Sequence, residues 1–407
     1  MLDVQRSVLD VQPEDGPWCG IQLDTGESLE AMARSKTRPH RMAHKTKKSV
    51  VVVGLGNIGS HLAPHFARLS AVERVTLVDQ DVYEEKNLAS QDTRPSEVGL
   101  PKVRVQADRL KKINPGLHVQ AIHQAVEEVP VGHLRGDVIA ACLDGRASRQ
   151  YVGEAAWRFC IPVVDAGVEP GGLLARVSVY LPGVDSACME CQWTDRDYEN
   201  VEQRYPCRDK VGGPATDAPS SLGSLAASLQ AIECQKLLAG NLGRMAANFE
   251  ILIDAMNHEF YLTRLVRNPK CRFDHTTWDI RRVACRPEDI AVREALELLK
   301  GDKSPVLRVP GKVFVKKLTC PGCGKVKSGL RLHHSLALGL KKRICSRCGE
   351  EMMASGLDMT HELDPSQLFQ GTMDLPLRAL GFRAGDVFSI FDPSKGKESH
   401  YELSGTI

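Results

Sequence analysis

The feature that most constrains this chain is a short β-branched run, Ser49 to Val53 (SVVVV), followed at once by Gly54, Gly56 and Gly59 (GLGNIGS) and by helical apolar spacing from Ile58 to Leu69. An unbroken β-branched run suits a strand buried on both faces of a parallel sheet. Glycines between such a strand and a helix allow a tight turn and a close backbone approach to phosphate, whose charge meets the helix N-terminus. Asp79 ends the next strand, Val72 to Val78, where a carboxylate can accept hydrogen bonds from ribose hydroxyls. Strand, turn, helix and acid in register imply a nucleotide. They do not say which one, and an NAD-dependent oxidoreductase would show the same pieces.

The alternation continues. Helices are expected at Val103 to Ile113 and Ser148 to Phe159, and strands at Leu117 to Ile122, Val138 to Leu143 and Ile161 to Val164. This is the pattern of a doubly wound, Rossmann-like α/β sheet. At roughly 150 residues per domain, 407 residues make two or three domains. Residues 1–48 read as a loosely structured arm that turns basic, 49–275 as the nucleotide-binding domain, 276–311 as a connector with one short helix, and 312–407 as a smaller second domain. Residues 206–219 are irregular, and the amphipathic helix Ser224 to Leu238 follows them, stopped by Gly240.

With 42% hydrophobic and 26% charged residues the composition is that of a globular protein, which excludes wholesale disorder. The net charge of +2 gives no overall reason to expect nucleic acid or an anionic membrane as partner. No apolar run reaches the ~18 residues of a membrane span, and the N-terminus carries acids where a signal peptide needs a basic start. A cytoplasmic location is expected.

Thirteen cysteines in a long chain of a reducing compartment point to metal ligation or catalysis rather than disulfides. Cys142, Cys160, Cys234 and Cys285 stand singly and read as small buried hydrophobes. Cys320 and Cys323 (CPGC) with Cys345 and Cys348 (CSRC) form two CxxC pairs, each with a glycine directly after it, Gly324 and Gly349. Four thiolates so spaced predict a zinc ribbon. Without a basic aromatic surface, its expected role is protein docking or structure. Leu375 to Phe391 loosely resembles the C-terminal ubiquitin-fold domain of eukaryotic activating enzymes.

Beyond Asp79 the motifs become specific: Asp79 to Gln91 (DQDVYEEKNLASQ), Gly99 to Val103 (GLPKV), and Cys142 to Gly145 (CLDG) with Arg149. In this order they resemble the ThiF/MoeB/HesA superfamily of ubiquitin-activating-like adenylating enzymes, of a bacterial type with a C-terminal zinc ribbon. The resemblance covers about residues 48–275. It implies ATP with Mg²⁺, Lys102 pairing with phosphates, Asp144 holding the metal, and Asp79, Asp81, Asn87 and Gln91 lining the nucleotide site with Gly54, Gly56 and Gly59. One position departs from the family's Asn-Leu-x-Arg-Gln stretch, since Ser90 stands where the arginine belongs. Arg94, or Arg34, Arg38 and Arg41 of a partner subunit's arm, are the candidate replacements.

The same resemblance pairs Cys188 and Cys191 (CMEC) with a second cysteine pair some eighty residues on. Here that place holds Cys271, with Asp274 at its partner position, and His275 completes a Cys₃His zinc set. Two zinc sites per chain follow. Cys207 lies where the family carries its thioester- or persulfide-forming cysteine, and Arg204, Arg208 and Lys210 beside it favour a thiolate. The implied reaction is adenylation of the C-terminal glycine of a ubiquitin-like or sulfur-carrier protein, then transfer to Cys207 and on to a conjugating enzyme. A homodimer is also implied, with no nucleic acid and no membrane. Competing readings are the sulfur-carrier adenylyltransferase of thiamine or molybdopterin synthesis, a nicotinamide-dependent oxidoreductase, and a non-catalytic zinc-ribbon interaction protein.

Overall fold

The computed structural model describes residues 47–202, 218–299, 305–332, 343–368 and 371–405. The nucleotide-binding half is built from β1 (Lys48–Val53), α1 (Asn57–Ala67), β2 (Val72–Val78), α2 (Lys102–Ile113), β3 (His118–Ile122), β4 (Val138–Ala141), α3 (Arg146–Arg158), β5 (Val163–Glu169), β6 (Leu174–Tyr180), α4 (Asp195–Glu202), α5 (Ser220–Leu238), β7 (Phe249–Asp254) and β8 (Glu259–Arg264). The strand order is β3-β2-β1-β4-β5-β6-β7-β8, parallel through β5 and antiparallel beyond it. The valine run explains itself here. Val50 and Val52 enter the core under α1, α2 and α5, while Val51 and Val53 enter a second core with Leu134, Trp157 and Phe159. A period of two on a sheet covered on both faces leaves no position for a polar residue.

The antiparallel extension β6 to β8 continues the sheet past residue 165, where the regular alternation in the sequence ends. Gln230 of α5 joins the two regimes, donating to the carbonyls of Ala141 and Val164 at 3.0 and 2.8 Å across the ends of β4 and β5.

Further on come β9 (Ile280–Val283), α6 (Val292–Glu297), β10 (Val306–Arg308), β11 (Phe314–Thr319), β12 (Val326–Leu332), β13 (Met359–Thr360), β14 (Glu362–Leu363), β15 (Val387–Asp392) and β16 (Lys397–Leu403). They form a five-stranded sheet, β14-β10-β15-β16-β9, and a three-stranded ribbon, β12-β11-β13. The stretch expected as a connector with one short helix therefore supplies two strands, β9 pairing in parallel with β16 and β10 lying between β14 and β15. Strands of three and four residues are too short to show a period, so only their partners reveal them.

This second sheet is docked against the first. Gly132 N–H donates to the Gly385 carbonyl at 2.8 Å, and a Cβ on Gly132 would lie 2.7 Å from that oxygen, so the approach needs glycine. Arg135 pairs with Glu402 at 2.6 Å, Arg383 donates to the Glu128 carbonyl, and Trp278 stacks on His400 with centroids 4.2 Å apart. Lys312 and Asp386 make a buried ion pair at 3.0 Å. No helix among the described residues is long and apolar enough to cross a membrane.

Candidate nucleotide site and metal centres

The order β2-β1-β4 reverses direction at β1, and the carboxyl ends of three adjacent strands deliver Asp79, the glycine turn and Asp144 to one edge of the sheet. A crevice at such a switch point is where open α/β sheets bind ligands. Two of the glycines are required by the backbone. Gly54 has φ +87°, and a Cβ there would lie 2.4 Å from the Cys142 carbonyl oxygen; one on Gly59 would lie 1.9 Å from the Gly54 oxygen. Gly56, capping α1, is different, since its Cβ would meet only Gln91 Nε2 at 3.9 Å. The N-cap of α1 is therefore open at Gly56, while Asn57 to Ser60 behind it are buried.

Asp79 staples this edge. Its Oδ2 accepts from Leu55 N–H at 2.6 Å and its Oδ1 from Asp81 N–H at 2.7 Å, which leaves one further lone pair on each oxygen for a ribose. Burial raises its pKa, against the opposing pull of Lys102 and the two N–H groups. Lys102 opens α2 and is buried, with its Nζ 3.1 Å from Asp81 Oδ2. An ammonium desolvated in this way is held by a half-exposed carboxylate that a phosphate can replace.

Asn87 is buried in a short 3₁₀ turn, where its Oδ1 accepts from Glu84 N–H at 2.9 Å. Gln91 Oε1 is buried with no partner among the described residues, beside the open face of Gly56. The segment is tied to α1 by Asp92 N–H to Ser60 Oγ at 3.0 Å. Ser90 caps the 3₁₀ turn, and Arg94 is exposed, its backbone N–H bonded to Glu97. Asp144 stands exposed between β4 and α3. Arg34, Arg38, Arg41 and Cys207 with its basic neighbours lie outside the described residues.

Sequence reasoning missed a third acid at this edge. Asp165, in β5, is 1% exposed and is held by Arg149 and, at 3.0 Å, by Arg176, which also pairs with Glu250 at 3.2 Å. The signal was present, an aspartate directly after a strand valine as at Asp79, although here the strand runs on to Glu169. Of the four single cysteines expected to be buried, Cys234 is, whereas Cys142, Cys160 and Cys285 are partly exposed. Burial pushes the thiols of Cys142 and Cys234 up, which disfavours the thiolate at both.

Cys188, Cys191, Cys271 and His275 come together with all ligand atoms within 4.8 Å. Cys188 Sγ lies 3.7 Å from both Cys191 Sγ and Cys271 Sγ, and Cys191 Sγ lies 3.2 Å from His275 Nε2. Trp157 of α3 packs edge-on against the His275 ring and donates its indole N–H to the His275 carbonyl at 3.0 Å. Asp274 is turned away, paired with Arg158.

Cys320, Cys323, Cys345 and Cys348 form a second such group, with Cys320 to Cys348 at 3.3 Å and Cys323 to Cys345 at 3.5 Å. Its two loops repeat one pattern. Gly324 N–H bonds the Cys320 carbonyl and Gly349 N–H the Cys345 carbonyl, both glycines at positive φ. Soft thiolate and imidazole donors at tetrahedral count suit zinc in both places.

The family model "ThiF family" matches residues 32–273. The chain is 29% identical over 231 residues to the molybdopterin-synthase adenylyltransferase of Escherichia coli, an alignment that takes in 54% of this chain and 85% of that protein. It is 30% identical over 195 residues to the sulfur carrier protein ThiS adenylyltransferase of the same organism, covering 47% and 72%. Ubiquitin-like modifier-activating enzyme 5 of Aedes aegypti is 26% identical over 267 residues, covering 62% and 65%. With the glycine turn, Asp79, Lys102 and Asp144 gathered at the switch point of the sheet, and the family match spanning the region that builds it, the chain belongs to the ThiF family of ubiquitin-activating-like adenylating enzymes.

Proposed function

We propose that the protein adenylates the C-terminal carboxylate of a ubiquitin-like carrier protein, using ATP, and then takes the carrier onto Cys207 as a thioester for delivery to a conjugating enzyme. The observation that carries the first step is the gathering of Lys102, Asp81, Gln91 and the open turn at Gly56 on one sheet edge with Asp144. Attack of a weak carboxylate nucleophile on the α-phosphate requires that phosphate charge be neutralised where it develops. Lys102, released from Asp81, supplies one cation, and the N–H groups of the first turn of α1 supply fixed dipoles. Asn87 and Gln91 would donate side-chain amide N–H groups. Asp144 would hold a divalent cation, which contributes charge neutralisation on the phosphates. The Cys₃His and Cys₄ groups would each hold one zinc ion.

For the second step, a thiolate near the acyl-adenylate attacks the mixed anhydride and releases AMP. Cys207 is the candidate by its place in the family pattern, and Cys234, buried with its thiol pKa raised, is not. A second reading, a sulfur-carrier adenylyltransferase, is favoured by the names of the two Escherichia coli relatives. A homodimer fits the exposed apolar residues of the edge strand β8, where Phe260 is 62% exposed.

Carrier-dependent exchange of labelled pyrophosphate into ATP tests adenylation. Saturable NAD binding with none for ATP would end this reading. Cys207→Ala should keep the exchange but lose a carrier adduct that survives denaturation and disappears on reduction. In an enzyme that exchanges normally and forms no such adduct, Cys207 is a bystander and the enzyme only adenylates.

A further inference from the structure

Charge is unevenly spread along this chain. Between Val313 and Gly349 there are nine Lys and Arg and no Asp or Glu, so the near balance of the whole hides a basic ribbon on a net acidic remainder. Lys327 and Arg331 on β12, an edge strand among the described residues, would serve to keep other strands from pairing there. They do not explain the apolar groups exposed among them: Val326 at 51%, Ile344 at 48% and Met353 at 45%. Val326 pairs with Thr319, and Thr319 bridges Met353 through hydrogen bonds of 2.8 and 2.9 Å, so these three side chains share one face. Beside them lies a cleft of about 160 Å³ lined by Leu318, Met352, Met353 and Met359 together with Arg343 and Glu351. Arg343 pairs with Glu351 through one terminal guanidinium nitrogen at 3.4 Å, while its Nε is buried with no partner among the described residues. Methionines fill irregular space and adapt to different apolar guests.

We propose that this face of the ribbon is a docking surface for an acidic segment of a partner protein that carries apolar side chains. Complementary charge draws the segment in, the methionine cleft takes its apolar groups, and Arg343 meets a carboxylate. Nucleic acid fits less well. The single Phe, Tyr or Trp between Val313 and Gly349 is Phe314, fully buried, so no exposed Phe, Tyr or Trp ring of this segment offers a platform for stacking bases. Exposed Val, Ile and Met gain nothing from a phosphate backbone. This surface lies outside the family match and does not depend on the adenylation reading.

Fluorescence anisotropy on the full-length, zinc-loaded protein tests this with three probes: an amphipathic peptide of glutamates and leucines, oligoglutamate of equal length, and a random-sequence DNA duplex. The amphipathic peptide should bind at least about tenfold more tightly than oligoglutamate, about one decade in Kd. Met353→Asp and Lys327→Glu should each weaken it roughly tenfold, with zinc content and pyrophosphate exchange unchanged. Equal binding of the two peptides, tighter and steeply salt-dependent binding of the duplex, insensitivity to both substitutions, or no binding of any probe would each overturn the proposal.

Discussion

The two cysteine clusters hold similar donors in opposite surroundings. Cys188, Cys191, Cys271 and His275 sit in the second large core of the sheet, wrapped by Trp157 and Phe273, with α3 as a wall. Cys320, Cys323, Cys345 and Cys348 sit on a small ribbon whose own cluster has only Val315, Leu318 and Met352 as buried apolar members besides two of the cysteines. In the first case packing already orders the ligands. In the second, four thiolates take the place that apolar side chains fill elsewhere, as small metal domains require.

Removing metal breaks this comparison open most sharply. Cys320→Ser with Cys345→Ser should unfold the ribbon, since structural zinc in small domains is worth on the order of 10 kcal/mol near neutral pH. Loss of amide protection confined to β11 and β12, with one zinc ion left per chain by elemental analysis, is the expected result. Cys271→Ser should lose the other ion while the sheet keeps a cooperative melt. Collapse of the whole chain in that variant would show that the first site is as metal-dependent as the second.

Trp157→Ala probes the packing of the first site directly. Trp157 is 3% exposed and holds His275 from two sides, so truncation should cost about 3–5 kcal/mol by denaturant unfolding and loosen the first zinc ion only. An unchanged midpoint would mean that the aromatic wall adds little to what the metal provides.

Asp144→Ala separates the chemistry of the two halves. It should lower carrier-dependent pyrophosphate exchange by roughly 100-fold or more with little change in thermal stability, because Asp144 is exposed. Ribbon variants should leave that rate alone. A fully active Asp144→Ala enzyme would show the metal-binding carboxylate to be elsewhere, with Asp165 the next to test.

The smallest effect lies at the junction between the halves. Burial, with the Arg158 charge adding to it, holds His400 down to about 4, while the unfolded chain takes up that proton near the ordinary value of 6.5. Its contribution to stability is therefore complete above pH 6.5 and is lost progressively as the pH falls toward 4. A melting temperature that declines over this window, and declines less in His400→Gln, is expected. Identical profiles would remove His400 from the account.

Much of the first half was legible in the sequence. The strands at 48–53 and 72–78 and the helix at 102–113 fall within a residue or two of expectation, because each carries a full period of apolar residues against a clear stop. The second sheet was not legible. Its strands are short, and β9 reads as nothing until β16 lies beside it, more than a hundred residues on. A chain ending near residue 311 would leave β9 and β10 without β14, β15 and β16, so that boundary cuts through a sheet rather than a linker.

By itself the sequence determined which chemistries the chain can carry: glycines where a phosphate needs backbone, acids closing valine strands, and thiolates in pairs. Those signals are local, because a turn, a strand end or a CxxC loop is specified within a few residues. Only the tertiary structure decided which of them meet. It sealed Cys234 in the core, turned Asp274 away while His275 faced the thiols, set Asp165 against two arginines, and lined one cleft of the ribbon with methionines and the Arg343–Glu351 pair. Each of these is a long-range juxtaposition fixed by packing and strand order, which no window of sequence contains.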